Sequence, residues 1–420
     1  MSTDTAQPPV PPVAADRSDE RLRVHEKGIR GVVTGAWEQL RGGDLGVLPV
    51  IGGLALIAVV FQLLDPLFLS SRNLADLLMQ SVPVGIIALG IVCILLVGQI
   101  DLSVGSVSGL SSAMLGVLFV SRGLPVVVAI VAAVAAGVAI GLLYSVLFNR
   151  FGIPSFVITL AGLLAFQGVQ LSLLGATGSI NLPFDSWIVT FAQLKFVPPW
   201  LSYVFVVAAA VGLFASGWAF AARRRAAGLS ARSTRYLLLR SGALLVLAGF
   251  FVRALNEDRG VGWMVVVFLG LTLALHYALS RTSWGTKVYA VGGNVEAARR
   301  AGIDVRRIYL SAFVLCSTLA AIGGILAAAR LGAANQGTGT GDVNLNAIAA
   351  AVIGGTSLFG GRGTAWAAPL GILVIQGIAS GLTLLNLSSS IRFEVTGAVL
   401  VLAVGLDALS RRSRSSHGRA

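Results

Sequence analysis

Long apolar runs separated by short polar stretches fill the chain from about residue 45 to residue 410. A helix of roughly 20 apolar residues crosses a bilayer, and twelve runs of about that length are present. The predicted spans are 47–68, 74–97, 104–121, 124–148, 155–174, 201–221, 236–254, 261–279, 308–331, 343–359, 363–384 and 391–409. Because 104–121 and 343–359 are short enough to be re-entrant or broken, the sequence predicts an all-α, polytopic membrane protein of ten to twelve spans.

The composition agrees with this fold class. Only 12% of the 420 residues are charged, against about 25% in a soluble domain. The net charge of +13 does not indicate a nucleic-acid partner, because the basic residues form no patch interleaved with aromatic residues. With the N-terminus inside, 24 of the 31 Lys and Arg residues lie on one side. Such a bias marks the cytoplasmic side, so both termini are predicted to be cytoplasmic.

Three parts follow from this pattern. Residues 1–44 are Pro-rich and then charged, without the apolar run of a signal peptide, and are expected to form a disordered cytoplasmic tail. Residues 45–410 form the transmembrane domain, and 411–420 a basic cytoplasmic tail. Cys93 and Cys316 fall inside predicted spans and are expected to be apolar core residues rather than a disulfide or metal framework.

Two local patterns concern helix packing. Glycines are spaced four residues apart at Gly105–Gly109, Gly137–Gly141 and Gly377–Gly381, which either brings helices close together or reflects the high frequency of glycine in membrane helices. In the outer segment 175–200, "DSWIVTFAQL" predicts a short helix on the membrane surface.

The first candidate site is the aspartate of "LVGQIDLSVGSVSG". Asp101 lies in an apolar region that carries no other charge from Val82 to Arg122, and a charge at membrane depth is costly unless it is shielded. Flanking glycines allow a helix break, and an aspartate there can cap the next half-helix. Asp101 either serves only as this cap or lies on the substrate or gating path. The candidate residues are Gly98, Asp101, Ser103, Gly105 and Ser106.

The second candidate lies in the central cytoplasmic loop 280–307, within "GGNVEAARRAGIDVRR". Asn294 is expected to begin a short helix and Gly302 to end it. This helix either rests amphipathically at the lipid interface or docks a cytoplasmic partner. Its candidate residues are Asn294, Glu296, Ala297, Ala298, Arg299, Arg300 and Gly302.

The third candidate is "NAIAAAVIGGTSLFGGRGT", residues 346–364. Two glycine pairs enclose hydroxyl side chains, which favours tight packing and backbone distortion. Helix packing alone explains the pattern as well as a pathway role does. The candidate residues are Gly354, Gly355, Thr356 and Ser357.

Enzyme motifs are missing from the sequence. There are three histidines and no HExxH, GxSxG or Walker A motif. We therefore expect no enzyme, no catalytic residue, no metal site and no cofactor in this chain. If ATP drives the protein, a separate subunit must hydrolyse it.

Taken together, the three motifs resemble those of the permease family of sugar ABC importers, which includes ribose, arabinose and xylose permeases. "QIDLSVGS", "AVGGNVEAARRAGI" and "AVIGGTSLFGGRGT" occur in the family's order, and the resemblance covers about residues 45–410. The segments "IPSFVITLAGLLAFQGV" and "RRRAAGLSARSTRYLLLR" are most similar to the xylose-type permease. The latter belongs to an insertion that adds a pair of spans around 236–279.

The resemblance implies a bacterial inner-membrane permease that translocates a monosaccharide, xylose or another pentose, by alternating access. It further implies a homodimer, a cytoplasmic ATPase subunit and a periplasmic sugar-binding protein. The loop Asn294–Gly302 matches the family's coupling motif in part, since the later Ile-x-Leu-Pro portion is absent. The serine and threonine hydroxyls of the other two motifs are expected to line the sugar path.

Three alternatives remain open at this point. A branched-chain amino acid permease has a related architecture, although "IDLSVGS" favours sugar. An ion-driven secondary transporter needs no ATPase. A membrane enzyme is the third class, and the absence of clustered His, Cys and acidic residues speaks against it.

Overall fold

The structure is a computed structural model that describes residues 48–388, together with 390, 391, 394, 395, 397, 398 and 401. The two predicted tails, 1–44 and 411–420, lie outside the described residues. Most of the last predicted span, 391–409, lies outside them as well. The predictions for these three segments therefore stay predictions.

Helices dominate the described part of the chain, because a helix satisfies its own backbone hydrogen bonds where no water is available. In chain order they are α1 (Leu48–Leu64), α2 (Ser71–Leu96), α3 (Val104–Gly116, extended by a π-helical turn Val117–Ser121), α4 (Val126–Phe151), α5 (Ser155–Leu174), α6 (Trp187–Gln193), α7 (Pro199–Ala226), α8 (Thr234–Asn256), α9 (Trp263–Arg281), α10 (Ser283–Gly293), α11 (Val295–Arg300), α12 (Val305–Leu331), α13 (Val343–Ile353) and α14 (Ala367–Leu384). Two short strands are β1 (Ser179–Asn181) and β2 (Ala333–Asn335).

Among the described residues, nine helices are long and apolar enough to cross a membrane. The helices α1 and α13 are apolar but shorter. The predicted polytopic, all-helical fold is thus confirmed, and each predicted span up to residue 384 contains a helix. The exact number of spans and the cytoplasmic position of both termini stay predictions.

The predicted span 343–359 is wrong in its extent. Helix α13 ends at Ile353, and the next helix does not begin until Ala367. Glycines with positive φ at Gly355, Gly360 and Gly361 fill the connection, and such backbone angles cannot continue a right-handed helix. A short half-helix and a glycine loop replace the longer helix.

Helix α12 is the centre of the largest compact unit, residues 45–197 together with the chain after 254. It packs against α2, α3 and α4. Glycines mark the closest approaches: a Cβ at Gly141 would lie 2.7 Å from the Phe313 carbonyl oxygen, and one at Gly137 would lie 2.8 Å from that of Ser317. This glycine pair therefore serves close packing.

The glycine pair Gly377–Gly381 also faces another helix. Gly381 lies under the Phe61 ring of α1, and Gly377 faces Ile57 of the same helix. Phe61 stacks on Phe68 with ring centroids 5.3 Å apart. Helix α1 is held against α14 through these small residues.

The predicted surface helix forms as α6, Trp187–Gln193, but it packs on protein. Ile188, Val189 and Ala192 are buried, and the Gln193 side chain donates to the Arg330 carbonyl at 2.9 Å. Nearby, β1 pairs with β2 in an antiparallel ladder with Ile180 opposite Ala334. Both contacts tie the segment 175–200 to the end of α12.

Residues 198–254 form a second compact unit. It contains α7 and most of α8, whose contact is built from Leu237 against Gly217 and from a small cluster of Ala221, Ala231 and Leu237. These helices correspond to predicted spans 201–221 and 236–254.

We expect Gly141→Val to destabilise the protein by about 1–3 kcal/mol, because the added methyl groups collide with the α12 backbone. The matched control is Gly168→Val, since no atom of the described residues lies within 4 Å of a Cβ at Gly168. Both changes carry the same helix-propensity cost, so a difference isolates the packing. The measurement is the apparent Tm in detergent, and equal Tm values for the two variants would contradict the packing role.

Candidate functional site

The "QIDLSVG" motif forms a break between two helices. Helix α2 ends at Leu96 and α3 begins at Val104, and Gly98 between them has φ of +74°. Asp101 lies in this non-helical segment with its side chain fully buried. The helix break expected from the sequence is therefore present.

Asp101 organises the start of α3. Its Oδ1 accepts hydrogen bonds from the Ser103 backbone N–H at 2.8 Å and from the Ser103 hydroxyl at 2.7 Å. The Tyr144 hydroxyl of α4 donates in turn to Ser103 Oγ at 2.7 Å. Asp101 Oδ2 is enclosed and has no nitrogen or oxygen donor among the described residues. The carboxylate thus closes a side-chain turn directly before the helix.

This break lies well inside the bundle. Tyr144 precedes the last residue of α4, Phe151, by about two turns, which places its bond to Ser103 about 10 Å from the helix end at 1.5 Å rise per residue. The Leu102 carbonyl accepts from the Asn344 side chain at 2.6 Å. Non-helical backbone at such depth is tolerated where protein groups satisfy it.

A second discontinuous element lies against the first. The chain after α12 runs from Gly332 to Asp342 without a helix before α13 begins at Val343. Gly339 lies against the backbone of Gly105, and the Thr338 carbonyl accepts from the buried Gln170 side chain at 2.9 Å. The glycines Gly105 and Gly109 therefore admit a segment of turns rather than another helix.

Sequence reasoning missed this second element and its two amide anchors, Gln170 and Asn344. The available signal was "NQGTGTGDVNLN", residues 335–346, where polar residues and glycine replace an apolar run. Residues 332–342 fall between the predicted spans 308–331 and 343–359, so the pattern predicts a loop there. In the structure the segment follows α3 inward from Gly109 to Leu102.

The predicted pathway residues divide into buried and accessible positions. Those buried are Asp101, Ser103, Gly105, Ser106, Gly354 and Thr356, whereas Ser357 is half-buried and Gly98 and Gly355 are exposed. The two motifs meet where Gly98 approaches the backbone of Phe359 and Gly360. The structure joins the motifs at this point, and their role on the sugar path stays a prediction.

The glycine loop after α13 is fastened to the end of α2 and to α10. The Gly361 N–H donates to the Leu96 carbonyl at 2.9 Å, and the Tyr289 hydroxyl donates to the Gly363 carbonyl at 2.8 Å. Burial raises the pKa of the Tyr289 hydroxyl, so this group keeps its proton and its donor role at neutral pH. Gly292 has no room for a side chain, because a Cβ would collide with the Leu96 carbonyl.

The predicted short helix of the central loop is α11, Val295–Arg300. Asn294 caps it, with its side chain accepting from the Ala297 N–H at 2.9 Å. Gly302 ends it with φ of +78°. Glu296 and Arg299 form an exposed ion pair at 3.0 Å, while Ala298 is buried. The side chains exposed on its outer face are Glu296, Ala297, Arg299 and Arg300.

An apolar helical bundle with two interrupted crossings, and a short exposed helix beside the glycine loop that follows α13, has the construction of a membrane permease. The chain belongs to the family described as the branched-chain amino acid transport system/permease component, which matches residues 73–404.

Individual relatives are more specific than the family description. The chain is 33% identical over 387 residues to the xylose transport system permease protein XylH of Escherichia coli strain K12, covering 90% of this chain and 96% of that protein. It is 32% identical over 373 residues to the ribose import permease protein RbsC of Bacillus subtilis, covering 88% and 96%. The D-allose transport system permease protein AlsC of Escherichia coli is 29% identical over 357 residues, covering 85% and 90%. No solved structure matches the chain.

The resemblance to the sugar importer permeases is thereby confirmed. The family description mentions amino acids, but these relatives are named for xylose, ribose and allose. A branched-chain amino acid permease is not favoured.

We expect Asp101→Ala to destabilise the protein by about 1–3 kcal/mol, because it leaves the buried Ser103 N–H without an acceptor. Asp101→Asn keeps a side-chain oxygen that can accept this hydrogen bond, so we expect it to lower the stability of the protein less than Asp101→Ala does. The measurement is the apparent Tm of each purified variant in detergent.

Asp65→Ala is the matched control for this comparison. Asp65 Oδ1 accepts from the Leu67 N–H at 2.8 Å in the same type of turn, but in an exposed loop. Water replaces the lost acceptor there, so the change in Tm is expected to be small. An Asp101→Ala variant as stable as Asp65→Ala would contradict the organising role of Asp101.

Proposed function

We propose that this chain is the permease subunit of an ATP-driven importer that translocates a monosaccharide, xylose or another pentose, across the bacterial inner membrane. The observation that carries the proposal is the identity with the xylose permease along 96% of that protein's length. Family membership and the multi-pass helical fold support the inner-membrane location.

The proposed assembly supplies what this sequence lacks. No Walker A motif is present, so ATP binds to and is hydrolysed by a separate cytoplasmic ATPase subunit. A periplasmic sugar-binding protein delivers the substrate, and the permease pairs with a second copy of itself. This chain carries no cofactor, no metal and no catalytic residue in this proposal.

The docking element for the ATPase is α11. Its exposed face combines Glu296, Arg299 and Arg300 with the small side chain of Ala297, so a partner can approach its backbone closely. The buried Ala298 anchors the helix to the protein. A push on α11 therefore reaches α10, which continues from it at Asn294.

From α10 the movement passes to the broken crossings. Tyr289 and Gly292 of α10 contact the glycine loop 354–363 and the end of α2. The loop in turn leads back to α13, and the end of α2 leads to the Asp101 break. In our proposal this chain of contacts couples ATP-driven closure of the ATPases to alternating access.

A neutral sugar is recognised through its hydroxyl groups, which both donate and accept hydrogen bonds. The hydroxyls of Ser103, Ser106, Thr356 and Ser357 are of the right chemistry. Since most of them are buried in this conformation, they would meet the sugar only after the breaks move. Asp101 does not cap α3 itself, because its carboxylate accepts from the N–H of the N-cap residue Ser103; in our proposal it holds this turn and becomes a neighbour of the path when the break moves.

We expect proteoliposomes with this chain, its ATPase and its binding protein to accumulate labelled D-xylose only when ATP is supplied. The ATPase and binding protein are taken from the reading frames beside this gene. The control holds the permease alone under a proton or sodium gradient without ATP. Uptake in that control would identify an ion-driven secondary transporter and overturn the proposal.

We expect Tyr289→Phe to lower ATP-driven uptake about two- to ten-fold, corresponding to the loss of one hydrogen bond in the coupling path, while ATP hydrolysis continues. The readout is the number of sugar molecules transported per ATP. Tyr277→Phe is the control, because this tyrosine of α9 is exposed. An unchanged ratio in Tyr289→Phe would show that the contact with Gly363 does not transmit the movement.

A further inference from the structure

Asp342, at the start of α13, is an acidic residue that none of the sequence motifs included. Its side chain is exposed in the described part of the chain. One turn later, the Asn346 side chain donates to Asp342 Oδ2 at 3.0 Å. The two residues therefore form a carboxylate–amide pair on one face of a short helix.

This pair lies along the length of the helical bundle rather than at its end. Two residues after Asp342, the Asn344 side chain bonds the Leu102 carbonyl at 2.6 Å. Leu102 adjoins Ser103, whose bond to Tyr144 places it about 10 Å inside the end of α4. On the other side, Gly339 lies against the backbone of Gly105 in α3. The position of Asp342 is thus fixed from both directions along the chain.

An exposed carboxylate at such depth cannot face lipid at low cost. Asp101 differs from Asp342, because the Asp101 side chain is fully buried and accepts a hydrogen bond that closes a turn. Beside Asp342, no atom of the described residues lies within 4 Å of a Cβ built at Gly341, which has φ of +65°. The space beside Asp342 is therefore open among the described residues.

The side chains of Asp342 and Asn346 can form hydrogen bonds with the hydroxyl groups of a polyol. A carboxylate oxygen accepts from sugar hydroxyls, and a side-chain amide both donates and accepts, so the pair can engage two neighbouring hydroxyls. Asp342 and Asn346 belong to the element that adjoins the Gly354–Ser357 motif through α13. A sugar held here would contact the first turn of α13.

We infer that Asp342 and Asn346 form a sugar-contacting site that the substrate occupies during translocation. This inference rests on the proposed function and deepens it by naming the contact residues. It differs from the sequence-based expectation, in which the buried serines and threonines met the sugar.

The test is cysteine accessibility in the assembled transporter. The native Cys93 and Cys316 are buried, so a membrane-impermeant thiol reagent has little to react with in the unsubstituted protein. We expect Asp342→Cys and Asn346→Cys to react about ten-fold faster than Leu164→Cys, because such reagents need a hydrated thiolate. Leu164 is an exposed apolar residue of α5 and the lipid-facing control.

The second readout is protection by substrate. D-xylose, D-ribose and D-allose are added in turn, and the sugar that the unsubstituted transporter takes up is expected to slow the reaction at both positions. In uptake assays, Asp342→Asn is expected to raise the KM for that sugar, whereas Leu164→Cys leaves it unchanged.

Each contrary result has a distinct meaning. Labelling as slow as at Leu164→Cys, or rapid labelling without protection by the transported sugar, overturns the sugar site. Oxidation of Asp342→Cys to a disulfide between two copies overturns it as well, because the pair then faces the partner subunit. If the unsubstituted assembly takes up no sugar, the proposed function itself fails, and that result is seen without any variant.

Discussion

Every backbone N–H and C=O inside the bilayer must find a partner within the protein, and the two broken crossings of this chain depend on that constraint. The break before α3 presents the Leu102 carbonyl, which the Asn344 side chain satisfies. The segment of turns before α13 presents the Thr338 carbonyl, which Gln170 satisfies. Glycine allows the two segments to approach closely where Gly105 meets Gly339. Each irregular crossing is therefore possible only because the other elements lie beside it.

Two irregular crossings that support each other are compatible with the movements of a transporter. A continuous helix transmits force along its axis, whereas a broken crossing can pivot where its backbone is held by a few side chains. In this chain the end of α2, just before the Asp101 break, meets the glycine loop after α13, where the Gly361 N–H donates to the Leu96 carbonyl and Tyr289 reaches Gly363. The same end carries α11, whose exposed side chains are the charged Glu296, Arg299 and Arg300 and the small Ala297. The two non-helical elements thus lie next to the surface that we propose for the ATPase.

The sequence predicts most of the helices, because apolar length is a local property. It also predicts the cap at Asn294, the stop at Gly302 and the break at Asp101, since each rests on neighbouring residues. The sequence does not predict contacts between residues that are far apart along the chain. The bond between Asn344 and Leu102 joins residues 242 positions apart, and no periodicity records it. The segment before α13 falls between two predicted spans, because polarity and glycine look the same in an external loop and in turns packed on α3. For the same reason the sequence does not single out Asp342.

The ladder between β1 and β2 limits which insertions and deletions the chain can tolerate before α13. β2 ends at Asn335, three residues before Thr338, and Asn344 follows six residues later. Both ends of that stretch are thereby pinned, one to β1 and the other to Leu102. External loops of membrane proteins usually tolerate gained or lost residues, but a single insertion between 335 and 344 would shift one anchor out of register. Although its composition is that of a linker, this stretch is expected to have a fixed length.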